Sequence, residues 1–167
     1  MSAPGHIVIA CSYLHVPGGY EKAIITTANL FAEKGHPVTL LILDQTADTW
    51  YPVHKDVRIV HQPVSFGITP KGNIISRKIW LWRDIKKLKR VLKTLRPGYL
   101  ICSEYTFAVA AVLGGARKYT RVCSWEHHHF AAQQLNGFWK LLFRYAYKRL
   151  DAVVALNKDE QQYYRSY

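Results

Sequence analysis

Six short apolar runs alternate with segments of helical periodicity along the whole chain, and this alternation limits the folds open to it more than any other feature. Most of the runs are continuously apolar rather than alternately apolar and polar, which is typical of strands covered on both faces. A strand–helix–strand repeat with crossovers of this length predicts a parallel, doubly wound sheet.

Residues that begin and end helices support these assignments. Gly35 stands where a helix C-terminus is expected, and Asn157 with Glu160 three residues later is typical of a capping box. The predicted strands are 6–12, 38–44, 57–62, 99–105, 121–127 and 152–157. The predicted helices are 20–34, 74–95, 106–113, 138–149 and a last one that begins at 158. The predicted fold class is α/β, a Rossmann-like three-layer α/β/α domain with a mostly parallel sheet of about six or seven strands.

Length and composition predict one domain with an anionic partner. The 167 residues, 49% of them hydrophobic, suffice for a single well-packed domain over 1–167. The net charge of +12 favours a nucleic acid, an anionic membrane surface or a phosphorylated ligand as partner. No apolar run approaches the ~20 residues that a membrane span requires. Three cysteines, an odd number, favour free thiols in a reducing cytoplasm over a disulfide framework.

Two glycines and an acid, Gly18, Gly19 and Glu21, follow the first predicted strand and open its helix. In a doubly wound sheet, ligands bind beyond the carboxyl ends of the strands, where helix N-termini present free N–H groups. The two glycines would let a ligand approach the backbone closely and would adopt a positive φ at little cost. The alternative is an ordinary glycine turn in which Glu21 interacts with the helix dipole. A dinucleotide site is disfavoured, because the spacing G-x-G-x-x-G is absent.

Three histidines lie at the end of the fifth predicted strand, in the sequence SWEHHHF over residues 124–130. Alternation along a strand places His127 and His129 on one face and His128 on the other. No obvious further ligand accompanies them, so a histidine that hydrogen-bonds a sugar is favoured over a zinc site, and no metal is predicted. A purely structural histidine is the alternative.

The polar residues after the strands are expected to line one crevice. With the strand order 3-2-1-4-5-6, His127 would lie near the turn of Gly18 and Gly19. Glu104 and Tyr105, at the end of the fourth predicted strand, and Glu126 are further candidates for the same crevice.

The segment 71–96 carries ten lysine and arginine residues and a single acid, Asp84. At helical spacing it has one apolar and one basic face, which is also the pattern of any surface helix packed on a sheet. The predicted apolar stripe is Trp82, Ile85, Leu88, Leu92 and Leu95, and the predicted basic face is Arg83, Lys86, Lys87, Arg90 and Lys93.

Trp80 lies on the basic side of this predicted helix, seven residues before Lys87. A tryptophan among basic residues is typical of a membrane interface with anionic lipid, which attracts each nearby basic residue by about 1 kcal/mol. A nucleic acid would use the same charge, but the aromatic residues are not spaced as a base-stacking platform. The predicted contact with an anionic membrane is Trp80, Arg83, Lys86, Lys87 and Arg90, and no nucleic-acid partner is predicted.

The chain resembles the N-terminal domain of the family 4 glycosyltransferases, which are retaining enzymes of the GT-B fold that build bacterial capsule, exopolysaccharide and lipid-linked glycans. The resemblance covers essentially the whole chain and is carried by three segments: PGGYEKAIITTANLFAEKGHPVTLLILD, SWEHHHF and RLDAVVALNKDEQQYY. The most specific part is Gly-Gly-x-Glu, then a helix, then Gly-His-x-Val-Thr.

The resemblance implies roles for the residues at the strand ends. In the family, an N-terminal domain that binds the acceptor, often on a membrane lipid, faces a C-terminal domain that binds the nucleotide-sugar. Gly18 and Gly19 would approach the donor diphosphate, and Glu21 would shape their loop. His127 would be the active-site histidine that contacts the donor sugar and stabilises an oxocarbenium-like transition state. No metal and no cofactor other than the sugar donor is implied.

The resemblance also implies a partner, because the C-terminal nucleotide-sugar domain has no counterpart in residues 1–167. Little transferase activity is expected of these residues alone, and the complete hexosyltransferase is expected in the cytoplasm, at the inner face of the plasma membrane. Two alternatives stay open: a non-catalytic basic module that binds a membrane and recruits a partner chain, and half of a GT-B nucleotide-sugar epimerase.

Overall fold

The structure, a computed structural model, describes residues 5–44, 46, 48–66, 74–127 and 137–165. Within these residues, strands and helices follow one another in the predicted order, and the third strand follows the second with no helix between them. The strands are β1 (Ile7–Cys11), β2 (Val38–Ile42), β3 (Val57–His61), β4 (Tyr99–Cys102), β5 (Arg121–Trp125) and β6 (Ala152–Val154). The helices are α1 (Gly19–Glu33), α2 (Ile74–Leu95), α3 (Tyr105–Leu113), α4 (Gly137–Tyr147) and α5 (Lys158–Arg165). A short 3-10 helix, Ala116–Lys118, was not predicted.

All six strands form one parallel sheet in the order β3-β2-β1-β4-β5-β6. Ile7 of β1 lies opposite Val38 of β2 on one side and opposite Tyr99 of β4 on the other. The strand order therefore reverses between β1 and β4. This confirms the α/β fold class and the strand order from which the crevice was predicted.

The sheet packs against helices on both faces, because successive side chains of a strand point to opposite sides. Val8 and Ala10 of β1 pack in the core shared with α2 and α3, whereas Ile7 and Ile9 pack in the core shared with α1. α1 contributes to the second core the buried residues Ile24, Ile25, Ala28 and Ala32. Fully burying an isoleucine side chain, such as that of Ile24, stabilises a fold by about 1.5–3 kcal/mol.

The sheet also has an apolar cleft of about 510 Å³ on the α1 side, over β4, β5 and β6. Ile101, Cys123 and Trp125 line its floor, and Phe31 of α1 lines its edge. Val154 of β6, which also borders the cleft, is 51% exposed. This half of the α1 face is therefore less covered than the half over β1 and β2.

α2 has the predicted bounds, but one residue of its apolar stripe was assigned wrongly. The buried members of the stripe are Ile85, Leu88 and Leu92, with Leu95 partly buried. Trp82 is 53% exposed, and Leu81, which is 5% exposed, takes its place in the core. Asp84 is buried as well. The face of α2 that packs against the sheet therefore includes Leu81 and Asp84 and is rotated away from Trp82.

Asp84 holds the segment after β3 against α2. Its Oδ2 accepts hydrogen bonds from the backbone N–H groups of Ser65 and Phe66, each at 2.8 Å, and from the Ser65 hydroxyl at 3.1 Å. Its Oδ1 lies 3.4 Å from Nζ of Lys87. A buried carboxylate is tolerated here because three donors and one cation surround it.

The structure confirms the predicted helix end at Gly35 and the half of the predicted capping box that Asn157 supplies. After α1, Gly35 adopts φ 80° and its N–H donates to the carbonyl of Ala32 at 2.8 Å, while His36 N–H donates to Phe31 at 3.0 Å. This is the glycine-terminated end that L residues with a side chain rarely form. At the start of α5, the Asn157 side chain accepts a hydrogen bond from Glu160 N–H at 2.9 Å.

All three cysteines are free thiols, as predicted. Cys11 and Cys102 are buried, and burial raises the pKa of each thiol far above its usual value. Cys123 is half-buried, and its pKa is raised by the same cause. None of the helices in the described part of the chain is both long and apolar enough to span a bilayer.

Candidate active site

The carboxyl ends of β1, β4 and β5 lie side by side, because these strands are neighbours in the sheet. Ser12 follows β1, Ser103 and Glu104 follow β4, and His127 lies two residues beyond β5. Ligands of doubly wound sheets bind at this edge, where the strand order reverses. The candidate site is therefore the group of side chains around these three strand ends.

Gly18 and Gly19 begin α1 at this edge, but not with the predicted backbone conformation. Gly18 is the N-cap residue with φ −167°, an extended conformation that any residue adopts, and neither glycine has a positive φ. The missing side chain matters instead. A Cβ atom at Gly18 would overlap Oε2 of Glu21 and lie 3.1 Å from its Cδ, whereas a Cβ atom at Gly19 would meet no atom within 4 Å.

Glu21 folds back over this turn and is 3% exposed. Its carboxylate lies at the N-terminus of α1, where the helix dipole favours a negative charge. Gly18 has no side chain that could cap the first N–H groups of the helix. The space that a Cβ atom would take is open at Gly19, whereas the Glu21 carboxylate fills that space at Gly18.

Tyr20 connects the diglycine turn to the ends of β1 and β4. Its hydroxyl accepts a hydrogen bond from Ser12 N–H at 3.0 Å and donates to Oγ of Ser103 at 2.6 Å. Ser103 in turn donates to the carbonyl of Ala10 at 3.0 Å. Burial, with smaller contributions from Cys11 and Glu104, raises the pKa of the Tyr20 hydroxyl, so it stays neutral and serves as a donor.

The imidazole of His127 packs between two aromatic side chains. The Tyr20 ring meets it edge-on, with centroids 4.9 Å apart and planes at 83°, and the Trp125 ring lies at 4.4 Å and 48°. Because Tyr20 directly follows Gly19, this contact places His127 beside the diglycine turn, as the strand order had predicted. His128 and His129 lie outside the described residues.

Glu104 is the N-cap residue of α3, and its carboxylate lies beside the end of β1. The Ser12 hydroxyl donates to Oε1 of Glu104, and the Thr106 hydroxyl lies 3.5 Å from Oε2. Glu104 also lines a small cleft of about 130 Å³ together with Tyr13 and Asp44. Ser12 thus joins Glu104 to the Tyr20 network, and the structure brings Glu104, Tyr20 and His127 into one cluster.

The contacts described for Glu126 and Tyr105 lie toward α4, and their predicted place in the crevice stays a prediction. Glu126 is 3% exposed, and its Oε1 accepts hydrogen bonds from the hydroxyls of Ser124 and Tyr147 in the core beside α4. Adjacent in the chain beyond β5, Glu126 contacts Ser124 and Tyr147, whereas His127 contacts Tyr20 and Trp125. Tyr105 begins α3 instead of ending β4, and its ring packs 6.1 Å from that of Trp139 in α4.

The predicted basic face lies on α2 and is not part of the cluster at the ends of β1, β4 and β5. Trp80 is 44% exposed, and the guanidinium of Arg83 lies 4.7 Å from its ring. Lys86 and Arg90 are exposed, whereas Lys87 is partly buried beside Asp84. Contact of these residues with an anionic membrane stays a prediction.

In the part of the chain that the structure describes, no three histidine, cysteine, aspartate or glutamate side chains are grouped closely enough to hold a metal ion. The cluster of Tyr20, Glu104 and His127 instead presents a carboxylate, an imidazole and a helix N-terminus. These are groups that bind hydroxyls and phosphates by hydrogen bonding. That the reaction needs no metal stays a prediction.

Comparison with known sequence families shows to which family the chain belongs. The sequence model of the family described as Glycosyltransferase Family 4 matches residues 17–167, from the diglycine turn to the last residue. The chain belongs to glycosyltransferase family 4. No curated protein sequence matches it significantly.

Solved structures of glycosyltransferases share the fold of this family 4 chain at low sequence identity. Sucrose-phosphate synthase from Thermosynechococcus elongatus superposes with a TM-score of 0.67 and 11% identity, over 97% of this chain and 45% of that one. MurG from Acinetobacter baumannii superposes with a TM-score of 0.52 and 14% identity, over 90% of this chain and 40% of that one. The lipopolysaccharide outer core galactosyltransferase WaaB superposes with a TM-score of 0.55 and 15% identity, over 77% of this chain and 35% of that one. The chain thus spans less than half the length of each of these structures.

Four residues that build the site of this family 4 chain were not predicted: Ser12, Tyr20, Ser103 and Trp125. A faint local signal exists, since each serine directly follows the cysteine that ends its strand, and Tyr20 directly follows the two glycines. The hydrogen bonds of Tyr20 and Ser12, however, join residues up to 92 positions apart. Only the folded sheet brings such residues together.

Proposed function

We propose that this chain is the acceptor-binding half of a retaining hexosyltransferase, which moves a sugar from a nucleotide-sugar to a lipid-linked glycan in bacterial polysaccharide biosynthesis. Membership of family 4 supports glycosyl transfer. The observation that carries the proposed site is the packing of His127 on Tyr20, because it puts an imidazole beside the N-terminus of α1.

The N-terminus of α1 receives the donor diphosphate in the proposed mechanism. A helix N-terminus carries about half a positive charge and presents unpaired N–H groups, which together bind phosphate. Gly19 leaves the approach to this backbone open, because no atom lies within 4 Å of the place where its Cβ would be. Negative charge that develops on the leaving diphosphate is stabilised there without reorganisation of the protein.

His127 contacts the donor sugar and stabilises its oxocarbenium-like transition state. Packing against Tyr20 and Trp125 fixes the plane of the imidazole before substrate arrives, which lowers the entropy cost of reaching the transition state. Glu21 shapes the diglycine turn, and Glu104 lines the acceptor side of the crevice. The arrangement requires no metal in this proposal.

A second Rossmann-like domain supplies the nucleotide site in this proposal. The length of the superposed structures supports it, since the chain corresponds to less than half of each. Residues 1–167 alone are then expected to show no turnover with any sugar donor. Turnover by the purified chain 1–167 would contradict the assignment of a half-site.

The test of the proposed function uses the complete natural protein that contains residues 1–167. It is incubated with UDP-, GDP- and ADP-linked hexoses and a bacterial lipid extract, and products are analysed by mass spectrometry and NMR. We expect release of the nucleoside diphosphate and a new glycolipid that keeps the anomeric configuration of the donor. Inversion would contradict the retaining mechanism, and an epimerised sugar nucleotide without transfer would instead identify an epimerase.

A further inference from the structure

We propose that the small cleft of about 130 Å³ beside Glu104 binds an uncharged sugar ring, and that this ring is the reacting end of the acceptor. The ring packs on Tyr13 and donates hydrogen bonds from its hydroxyls to the carboxylates of Asp44 and Glu104. This inference rests on the proposed function, because it names the class of acceptor that the same site takes. The new glycosidic bond then forms on a sugar and not on the phosphate of a lipid carrier.

The cleft lies at the carboxyl ends of three neighbouring strands. Asp44 lies two residues beyond β2, Tyr13 two residues beyond β1, and Glu104 two residues beyond β4. Because adjacent strands lie about 4.8 Å apart, the ends of β2 and β4 are separated by about 10 Å, with the end of β1 between them. The two carboxylates therefore lie on either side of Tyr13.

The apolar lining of the cleft places it on the α2 side of the sheet. Four apolar residues contribute to this lining: Leu43, Val64, Phe66 and Phe107. All four belong to the core shared with α2 and α3 or pack against it. The diglycine turn, in contrast, begins α1, which packs on the opposite face. The cleft is thus separate from the proposed diphosphate site, although both lie at the same edge.

The two carboxylates supply acceptors for sugar hydroxyls. An ionised carboxylate accepts about four hydrogen bonds. The Ser12 hydroxyl donates to Oε1 of Glu104, which fixes this carboxylate at the end of β1. Among the described residues, no side chain forms a hydrogen bond or ion pair with the carboxylate of Asp44, which borders the cleft. Hydrogen bonds from hydroxyls to carboxylates are stronger than those between neutral groups.

Tyr13 supplies an aromatic face beside these carboxylates. Its side chain borders the cleft and is 44% exposed. Its ring centroid lies 6.2 Å from that of Tyr20 and 5.9 Å from that of His15, so two neighbours support the ring. The C–H groups of a sugar ring carry partial positive charge and pack on the negative face of an aromatic ring. A carboxylate next to an exposed aromatic side chain therefore matches both the hydroxyls and the C–H groups of a sugar.

The charge of the cleft disfavours a phosphate. None of the described residues that line it is a lysine or an arginine, although the chain has a net charge of +12. A phosphate in the cleft would face two carboxylates, and like charges repel strongly when no cation lies between them. The N-terminus of α1, in contrast, favours an anion. The edge thus provides one place for the donor diphosphate and another for an uncharged acceptor.

The volume of the cleft limits what enters it to part of one sugar ring. One water molecule takes about 30 Å³ of liquid volume, so 130 Å³ corresponds to about four water molecules. This space admits the hydroxyls on one edge of a ring but not a nucleotide. The rest of the acceptor then extends away from the cleft.

The first test measures binding of sugar probes to the complete natural protein that contains residues 1–167. The uncharged probes are the methyl glycosides of glucose, galactose and mannose, and the charged probes are the 6-phosphates of the same sugars. Saturation-transfer NMR with competition gives each Kd. We expect at least one methyl glycoside to bind at least about tenfold more tightly than every sugar phosphate. Equal or tighter binding of a sugar phosphate, or no binding of any methyl glycoside, would overturn the proposal.

Paired variants of the complete protein then locate the bound sugar. Asp44→Asn and Tyr13→Ala are each expected to weaken methyl glycoside binding about tenfold, because they remove a charged acceptor and an aromatic face. Asp48→Asn and Tyr145→Ala are the matched controls, since both residues are exposed and lie outside the cleft. We expect less than about a twofold effect from each control. Equal effects within either pair would overturn the proposal.

A charge reversal gives a readout that general damage to the fold would not produce. Asp44→Lys replaces one of the two carboxylates by a cation and is expected to tighten binding of at least one sugar 6-phosphate by about tenfold. Asp48→Lys is expected to change the same Kd by less than about twofold. Sugar phosphate binding that Asp44→Lys leaves unchanged would contradict the charge of the cleft as the cause of its selectivity.

Transfer assays separate this inference from the proposed function. With the nucleotide-sugar donor, transfer is expected to a methyl glycoside and not to polyprenyl phosphate that carries no sugar. Transfer to polyprenyl phosphate would overturn the inference and leave glycosyl transfer itself intact. Binding of a methyl glycoside at the cleft without transfer from any donor would instead contradict the proposed function and leave the cleft as a sugar site.

Discussion

At the scale of single residues, the adjacent glycines Gly18 and Gly19 differ in what a side chain at each position would meet. At Gly18, the carboxylate of Glu21 occupies the space that a Cβ atom would need. At Gly19, the same space is open. A side chain at Gly18 would therefore displace the Glu21 carboxylate, whereas a side chain at Gly19 would meet only what approaches from outside. Of the two, Gly19 is therefore the glycine that is proposed to admit the donor diphosphate.

Two alanine substitutions test this difference. Gly18→Ala is expected to lower the free energy of unfolding by about 1–3 kcal/mol, because it displaces the buried Glu21 carboxylate. Gly19→Ala is expected to leave the free energy of unfolding unchanged or slightly higher, yet to raise KM for the sugar donor in the complete enzyme. Urea denaturation and steady-state kinetics measure the two effects. A destabilised Gly19→Ala variant, or one with unaltered kinetics, would contradict the open approach to the diphosphate.

Tyr20 shows how a residue that no motif marks organises the site. Its hydroxyl ties the end of β1 to the end of β4, and its ring supports the imidazole of His127. Because the pKa of this hydroxyl is raised by burial, its role is to donate a hydrogen bond and to pack, not to titrate near neutral pH. Tyr20 is thus a positioning residue for His127.

At the scale of elements, α2 illustrates what a local pattern predicts and what it leaves out. Its bounds follow from the apolar and basic periodicity between Ile74 and Leu95. The periodicity does not determine which face of α2 packs inward, because Trp82 and Leu81 would each fit an apolar stripe. The choice depends on the segment after β3, whose N–H groups require Asp84 to point inward. That contact joins residues 18 and 19 positions apart and has no signature within the helix.

Asp84→Ala tests this account of α2. The substitution leaves two buried N–H groups without their acceptor and is expected to lower the free energy of unfolding by about 2–4 kcal/mol. Thermal and urea denaturation measure it. Asp159→Ala, which removes an exposed acid from α5, serves as the control and is expected to change stability by less than about 0.5 kcal/mol. If the two variants unfold alike, Asp84 does not hold the segment after β3.

At the scale of the whole molecule, the fold class and the strand order were predictable, but the composition of the site was only partly so. Continuous apolar runs separated by helices determine the sheet, and the sheet determines that the start of α1 and His127 meet, through the ring of Tyr20. The direction of each side chain at a strand end depends on packing from other elements. Glu126 illustrates this, because its partner Tyr147 lies 21 positions away on α4. In the site, the hydrogen bond of Ser12 with Glu104 joins residues 92 positions apart, and that of Tyr20 with Ser103 joins residues 83 positions apart.

The buried thiols and tyrosine hydroxyls determine how the stability of the domain is expected to depend on pH in the alkaline range. Burial raises the pKa of the Cys11 and Cys102 thiols and of the Tyr20 and Tyr147 hydroxyls above their ordinary values of 9.0 and 10.0. The unfolded chain therefore releases these protons at a lower pH than the folded chain. Their contribution to stability is complete below pH 9 and decreases as the pH rises above it.

Urea denaturation between pH 7 and pH 11 measures this dependence. We expect the free energy of unfolding to be nearly constant up to about pH 9 and to fall steadily above it, by up to about 1.4 kcal/mol per pH unit for each such group. Ultraviolet titration of the folded chain is expected to show exposed tyrosines ionising before Tyr20 and Tyr147. Stability that stays constant up to pH 11 would contradict the burial of these groups.

The central claim is that the edge formed by β1, β4 and β5 is the catalytic edge of a family 4 glycosyltransferase. The measurement that tests it most directly is kcat of the complete enzyme with His127→Ala, compared with His61→Ala, an exposed histidine at the end of β3 whose imidazole hydrogen-bonds the carbonyl of Asp44. We expect His127→Ala to lower kcat by about 100-fold or more at unchanged thermal stability, and His61→Ala by less than about twofold. A His127→Ala enzyme that turns over within about twofold of the unaltered one would contradict the claim.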